Sequence, residues 1–82
     1  MHEYSLAAEI VDIALQTAGD APGTVTTVHV TVGPGSHFEG SSLSEAFELA
    51  ATGTRAAGAN LEVTMGPAGT GGVAVTAIDL AD

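Results

Sequence analysis

The sequence contains no cysteine and no lysine, and Arg55 is its one arginine. Without cysteine, neither a disulfide nor a thiolate metal site can stabilise the fold, so stability must come from packing, from a partner or from other metal ligands. No apolar run approaches the roughly 20 residues of a membrane-spanning helix, and no basic leader region is visible at the start. We therefore expect no membrane insertion and a cytoplasmic location.

The charge balance is strongly acidic, because ten Asp and Glu residues against one Arg give a formal charge of −9. Phosphate binding requires Lys and Arg, so nucleic acid and anionic membranes are poor partners. A basic protein surface or a cation fits this charge, although acidity also serves solubility alone. A chain of 82 residues forms one domain with a modest core, so we expect a single domain over residues 1–82.

Hydrophobic periodicity predicts five elements in the order α-β-α-β-β. The predicted segments are helices at about Ser5–Ala18 and Ser42–Ala51, and strands at Thr24–Val32, Ala59–Met65 and Val73–Leu80. Ser5 and Ser42 are the predicted N-cap residues, Ser42 in a capping box with Glu45. The first helix is predicted to bury a stripe that includes Ile13. In the first strand the valines should face the core and His29 the opposite side.

These elements predict an α+β fold, a two-layer α/β sandwich with both helices on one face of a three-stranded mixed sheet. The second helix connects the first two strands as a parallel crossover unit. The glycine-rich segment 66–72 predicts a turn that joins the last two strands as an antiparallel hairpin, since it lacks a P-loop lysine. Strict alternation in the last strand would place one set of residues on one side, Val73, Val75, Ala77 and Asp79, and the other set on the opposite side, Ala74, Thr76, Ile78 and Leu80.

The first three residues concentrate the coordinating groups of the chain. The Met1 amine, the backbone nitrogen of His2 and the His2 imidazole can form fused chelate rings, and Glu3 can complete a square-planar site. Nitrogen-rich square-planar geometry suits Ni(II) or Cu(II). The simpler interpretation is that His2 is an exposed residue ahead of a helix.

Other candidate sites are weaker. His29, on a strand, is expected to face solvent or to be hydrogen-bonded, and His37, in a loop, is a candidate additional metal ligand or loop contact. Glu45 and Glu48 lie on a solvated helix face, where paired acids are usually surface residues. We therefore do not expect an enzyme.

The sequence resembles the HypA family, the nickel-incorporation accessory proteins of [NiFe]-hydrogenase maturation. The resemblance rests on a terminal Met-His-Glu-x-Ser-Leu motif and on co-linear matches further along the chain. The matching segments are Met1–Leu6, Val30–Gly33, Ser42–Glu48 and Ala57–Val63. It implies a fold like the predicted one and Ni(II) binding through Met1, His2 and the neighbouring backbone nitrogens, with Glu3 supporting the site. The implied partners are the hydrogenase large subunit and a maturation GTPase.

The sequence also departs from that family. Members insert a zinc module with two Cys-x-x-Cys pairs between their last two strands, where this chain has the glycine-rich segment 66–72. We therefore expect no zinc. The leading hypothesis is a small accessory protein that binds or delivers nickel. The alternatives are a structural subunit whose acidic surface docks on a basic surface of a hydrogenase complex, and a regulator that competes with a full-length homologue. The sequence is also compatible with an oligomer.

Overall fold

A computed structural model describes residues 3–33, 40–66 and 72–81. Its elements are α1 (Glu3–Ala18), β1 (Thr24–Val32), α2 (Gly40–Ala51), β2 (Asn60–Met65) and β3 (Val73–Ala81). The predicted α+β fold, with two helices and a three-stranded mixed sheet, is confirmed. The assignment of residues 1–82 to one domain stays a prediction.

Both helices begin earlier than predicted. α1 begins at Glu3 and α2 at Gly40, so Ser5 and Ser42 lie within the helices and are not their N-cap residues. Leu6 and Leu43 are buried one turn into each helix, and this packing stabilises a start ahead of the serines. The helices end at Ala18 and Ala51, as predicted. Gly19 follows α1 with φ +52°, the left-handed conformation that favours glycine.

The sheet order is β2-β1-β3, so the predicted hairpin between the last two strands is wrong. β1 pairs in parallel with β2, as the crossover unit predicted, and antiparallel with β3 on its other side. The central position covers both edges of β1 and satisfies its backbone groups. β2 ends and β3 begins on opposite sides of Val32, the last residue of β1, since Met65 and Val73 both pair with it. Gly66 N–H donates to the Val32 carbonyl (2.8 Å), and Gly33 N–H donates to the Gly72 carbonyl (2.8 Å).

β3 does not follow the strict alternation predicted for it. Its register with β1 shifts between His29 and Val30, and Thr76 is the extra residue. This β-bulge reverses the faces of the residues that follow it. Val73, Val75 and Ile78 consequently pack against the core, whereas Ala77 and Asp79 lie on the opposite face.

The core lies between the helices and one face of the sheet. Its largest fully buried side chains are Phe47, Ile10, Leu43, Val25, Val28 and Val30. The valines of β1 face this core as predicted, and His29 lies on the other face. The prediction that Ile13 is buried is wrong, since 42% of it is exposed. Ile13 falls at the margin of a stripe whose centre is occupied by the fully buried alanines Ala7 and Ala14.

Arg55 joins the two ends of the α1–β1 connection. Its Nε and Nη2 donate to the Gly23 carbonyl (3.1 and 2.9 Å), Nη1 donates to the Gly19 carbonyl (2.9 Å), and Nη2 also donates to the Ala21 carbonyl. The Arg55 carbonyl in turn accepts from Val25 N–H (2.9 Å). A cation at the C-terminus of α1 also complements the helix dipole, and the last turn of α1 has no basic residue of its own.

Replacement of Arg55 is expected to destabilise the fold. Arg55→Ala should lower the free energy of unfolding by about 2 kcal/mol, because hydrogen bonds from a charged donor are lost, among them two to the part-buried carbonyl of Gly23. Arg55→Lys keeps the charge without the planar fork and should recover less than half of this loss. Urea denaturation followed by circular dichroism measures both. Equal stability of Arg55→Ala and the parent chain would contradict this role.

The core is expected to depend on Phe47. Phe47→Ala should cost about 3–4 kcal/mol, because Phe47 is 1% exposed and its removal leaves a cavity. Leu49 lies on the same helix and is 69% exposed, so Leu49→Ala is the matched control, expected to change stability by less than about 0.5 kcal/mol. Similar losses for the two variants in thermal denaturation would show that α2 is packed differently.

Candidate functional site

The residues predicted to bind metal fall at or beyond the limits of the described chain. Met1, His2 and His37 lie outside the described residues, and of Glu3 only the backbone is described. The assignment of Met1, His2 and Glu3 as nickel ligands therefore stays a prediction, as does the candidate contact of His37.

Glu3 belongs to a helix that is packed against the core. Glu3 is the first helical residue, and Leu6 and Ala7 in the following turn are buried against the core. The first N–H groups of a helix have no acceptor within it. The backbone nitrogen of Glu3 is therefore not needed for the hydrogen-bond ladder of α1, and it can change its bonding without unwinding the helix.

The open face of the sheet carries a cluster of three titratable side chains. His29 lies on the central strand, with Glu62 in register on β2 and Asp79 near it on β3. His29 Nε2 lies 2.9 Å from Asp79 Oδ2, and Nδ1 lies 4.0 Å from Glu62 Oε2. All three are solvent-accessible, with 35% of the His29 side chain exposed. The cluster links the central strand to both of its neighbours.

This cluster does not have the geometry of a metal site. The two carboxylates approach opposite nitrogens of the His29 ring, so an ion bound to one nitrogen would be near only one of them. Over residues 3–33, 40–66 and 72–81, no group of three or more His, Cys, Asp or Glu residues is placed to hold a metal ion. His29 is hydrogen-bonded, as the sequence led us to expect.

The sequence alone did not predict that Glu62 and Asp79 would lie beside His29. Both acids were placed on strands by periodicity, but their neighbours depend on strand order and register. The predicted hairpin would have put β3 next to β2 and away from His29. The bulge at Thr76 then turns Asp79 to the open face.

A groove of about 250 Å³ lies between α2 and β2. Its lining residues are Ser44, Phe47, Glu48, Gly58, Ala59, Asn60 and Leu61. Glu48 is the one titratable residue among these lining residues, so the described part of the groove has no pair of titratable groups for acid–base catalysis. The groove is better suited to binding another side chain or segment than to catalysis.

The chain has an α+β fold, and its predicted metal ligands are the first three residues of the sequence, of which Glu3 begins α1. Residues 1–70 match the family model described as "Hydrogenase/urease nickel incorporation, metallochaperone, hypA". The chain therefore belongs to the HypA family, and the resemblance seen in the sequence is confirmed. The family description names nickel, one of the two metals that suit the predicted donor set.

Relatives named "Hydrogenase maturation factor HypA" occur in several bacteria. The chain is 37% identical over 68 residues to that of Thermomicrobium roseum, 41% over 64 residues to that of Roseiflexus sp. (strain RS-1) and 39% over 64 residues to that of Chlorobium limicola. These matches cover 82%, 77% and 77% of this chain, but 52%, 52% and 55% of the relatives. The chain spans about half the length of the curated relatives it matches.

The description of this family as metallochaperones agrees with the expectation that the chain is not an enzyme. The family description refers to nickel incorporation for hydrogenase and urease, and the relatives are named as hydrogenase maturation factors. The particular partners and the cytoplasmic location stay predictions. Within the described residues, neither helix has the length and apolarity needed to cross a bilayer.

His29 is expected to contribute little to stability and nothing to nickel binding. His29→Ala should change the free energy of unfolding by less than about 1 kcal/mol, because its contacts with Asp79 and Glu62 are exposed to solvent. The Ni(II) stoichiometry of the variant should equal that of the parent chain in a calorimetric titration. A lost equivalent of nickel would place a metal ligand on the open face of the sheet.

Proposed function

We propose that this chain binds Ni(II) through Met1, His2 and Glu3 and delivers it during hydrogenase maturation. The observation that carries the proposal is membership of the nickel-incorporation family combined with a Met-His-Glu motif at residues 1–3, of which Glu3 is the first residue of α1. The nickel ion is the cargo of this process.

The donor set supports nickel over other metals. The Met1 amine, the His2 backbone nitrogen and the His2 imidazole provide three nitrogens, and Glu3 provides a fourth donor through its backbone nitrogen or its carboxylate. Such a set favours square-planar Ni(II) or Cu(II), whereas Mg and Ca prefer oxygen ligands. The absence of cysteine leaves no thiolate set to compete for the ion.

The position of Glu3 in α1 also supports this proposal. Backbone nitrogens that bind nickel in this way lose their protons and become anionic. The N-terminus of a helix favours negative charge, and its first N–H groups have no helical acceptor to lose. Nickel binding at Met1–Glu3 is therefore compatible with a fully formed α1.

Delivery to a hydrogenase requires release as well as binding. Because ligand deprotonation accompanies metal binding, the affinity should fall as the pH falls and rise as the pH rises. The hydrogenase large subunit and a maturation GTPase are the partners that we propose for the transfer.

The second candidate function is an accessory subunit that docks on a hydrogenase complex while the nickel site is unused. The acidic surface favours this alternative, because Arg55 is already engaged by backbone carbonyls and nine negative charges remain in excess. A stable stoichiometric complex that survives His2→Ala would support it, and a free chain after purification from the native source would count against it.

Titration of the chain with Ni(II) tests the nickel proposal directly. A chain with its native N-terminus should bind one equivalent, with the absorbance spectrum of a square-planar complex. His2→Ala should weaken binding by at least about 100-fold, that is by roughly 2.7 kcal/mol or more, because a chelating imidazole is lost. Extension of the N-terminus by a few residues should have a similar effect, because it removes the free amine at Met1.

Histidines elsewhere provide the matched controls for this titration. His29→Ala and His37→Ala should each leave the affinity within about threefold of the parent value, less than 0.7 kcal/mol. If all three histidine variants weaken nickel equally, or if the parent chain binds no more tightly than an exposed histidine, the proposed site is wrong.

A further inference from the structure

β2 is an open edge of the sheet. It pairs with β1 on one side, and no described residue hydrogen-bonds to its other side. Its register with β1 is unbroken along the strand, from Thr27↔Asn60 to Val32↔Met65. Regular open edges can accept an additional strand, and this is a recurrent mode of peptide recognition.

The opposite edge of the sheet is less suited to such pairing. β3 carries the bulge at Thr76, and bulges distort an edge and discourage the addition of a strand. β2 contains neither a bulge, nor a proline, nor a lysine. Of the two described edges, β2 is therefore the one that can bind an extended segment.

β2 carries apolar side chains that are exposed to solvent. Val63 and Met65 are in register with the buried Val30 and Val32, and so share the helix-covered face of the sheet. They are nevertheless 37% and 63% exposed. Along the same face Leu61 lines the groove between α2 and β2. Apolar surface thus continues from this groove along the strand, and the described residues do not cover it.

The charge around β2 indicates the chemistry of its partner. Glu62 lies on the opposite face of the strand with 64% of its side chain exposed, and Glu48 lies at the groove. Arg55, the sequence's single Lys or Arg, is held by the carbonyls of Gly19 and Gly23. A second copy of this chain would bring the same acidic groups together. A basic segment would complement them.

We propose that the free edge of β2 binds an extended, basic segment of a partner protein as a fourth strand. Side chains alternate between the two faces of a strand. Apolar residues of the segment would therefore pack on Val63 and Met65, and the intervening Lys or Arg residues would lie beside Glu62. The partner is recognised by alternation of apolar and basic residues. This proposal does not depend on nickel, so it is tested with a chelator present.

Short synthetic peptides provide the probe. A fluorescent peptide that alternates Val and Lys over about six residues, a typical strand length, should bind in a saturable one-to-one manner. A peptide with the same residues in two blocks, and one with Glu in place of Lys, should bind at least about tenfold more weakly. Hydrogen exchange should show new protection of amides in β2 and unchanged exchange in β3.

Variants of the chain locate the site. Met65→Lys and Glu62→Lys should each weaken the alternating peptide about tenfold or more, the first by placing charge on the apolar face and the second by reversing the attracting charge. Both positions are exposed, and circular dichroism checks that the fold is kept. Leu80→Lys is the matched control, because Leu80 is as exposed as Val63, at 37%, and lies on the opposite edge strand. It should change the affinity less than about twofold.

Several results would overturn the proposal. If the alternating and block peptides bind equally well, the peptide does not bind as a strand. If Leu80→Lys weakens peptide binding as much as Met65→Lys does, the binding site is not at β2. Self-association of the chain that Met65→Lys abolishes would identify a second copy as the occupant. Analytical ultracentrifugation at several concentrations distinguishes that outcome.

Discussion

The hydrogen bonds of Arg55 are the constraint on which the arrangement of the elements depends. One guanidinium binds the carbonyls of Gly19, Ala21 and Gly23, where the chain leaves α1 and enters β1. Arg55 itself lies after α2 and before β2, so a single side chain fixes three parts of the fold relative to one another. Its charge also stabilises the carbonyl end of α1. In a chain with ten acidic residues, the only arginine is bound by backbone carbonyls.

This constraint lies at the opposite end of α1 from the proposed nickel ligands. The helix has 16 residues, so its ends are about 24 Å apart. Buried residues along its length, among them Ile10 and Ala14, hold it against the core. Glu3, the last residue of the Met-His-Glu motif, is therefore part of a packed helix. Arg55 and the proposed nickel site consequently act at opposite ends of the same element.

The sheet divides the remaining surface into regions of different character. Its open face is linked across three strands by His29, Asp79 and Glu62, whose contacts are solvent-exposed. Its helix-covered face is filled over β1 but incompletely covered over β2, where Val63 and Met65 remain exposed. Nickel chemistry and partner binding are thus proposed for different surfaces, the start of α1 and the edge of β2. The two proposals therefore do not require competition between cargo and partner.

The order of elements, the fold class, the helix ends and the apolar face of β1 followed from the sequence, because local periodicity and glycine signals determine them. The motif Met1-His2-Glu3 was also recognisable there, since its donors are adjacent in the chain. Strand order, the bulge at Thr76 and the partners of Arg55 were decided only by the tertiary structure. Each depends on contacts that form only in the folded chain, above all on the central place of β1, whose valines are buried and whose backbone is paired on both sides. These contacts join segments that are far apart in the chain, and local sequence patterns carry no information about them.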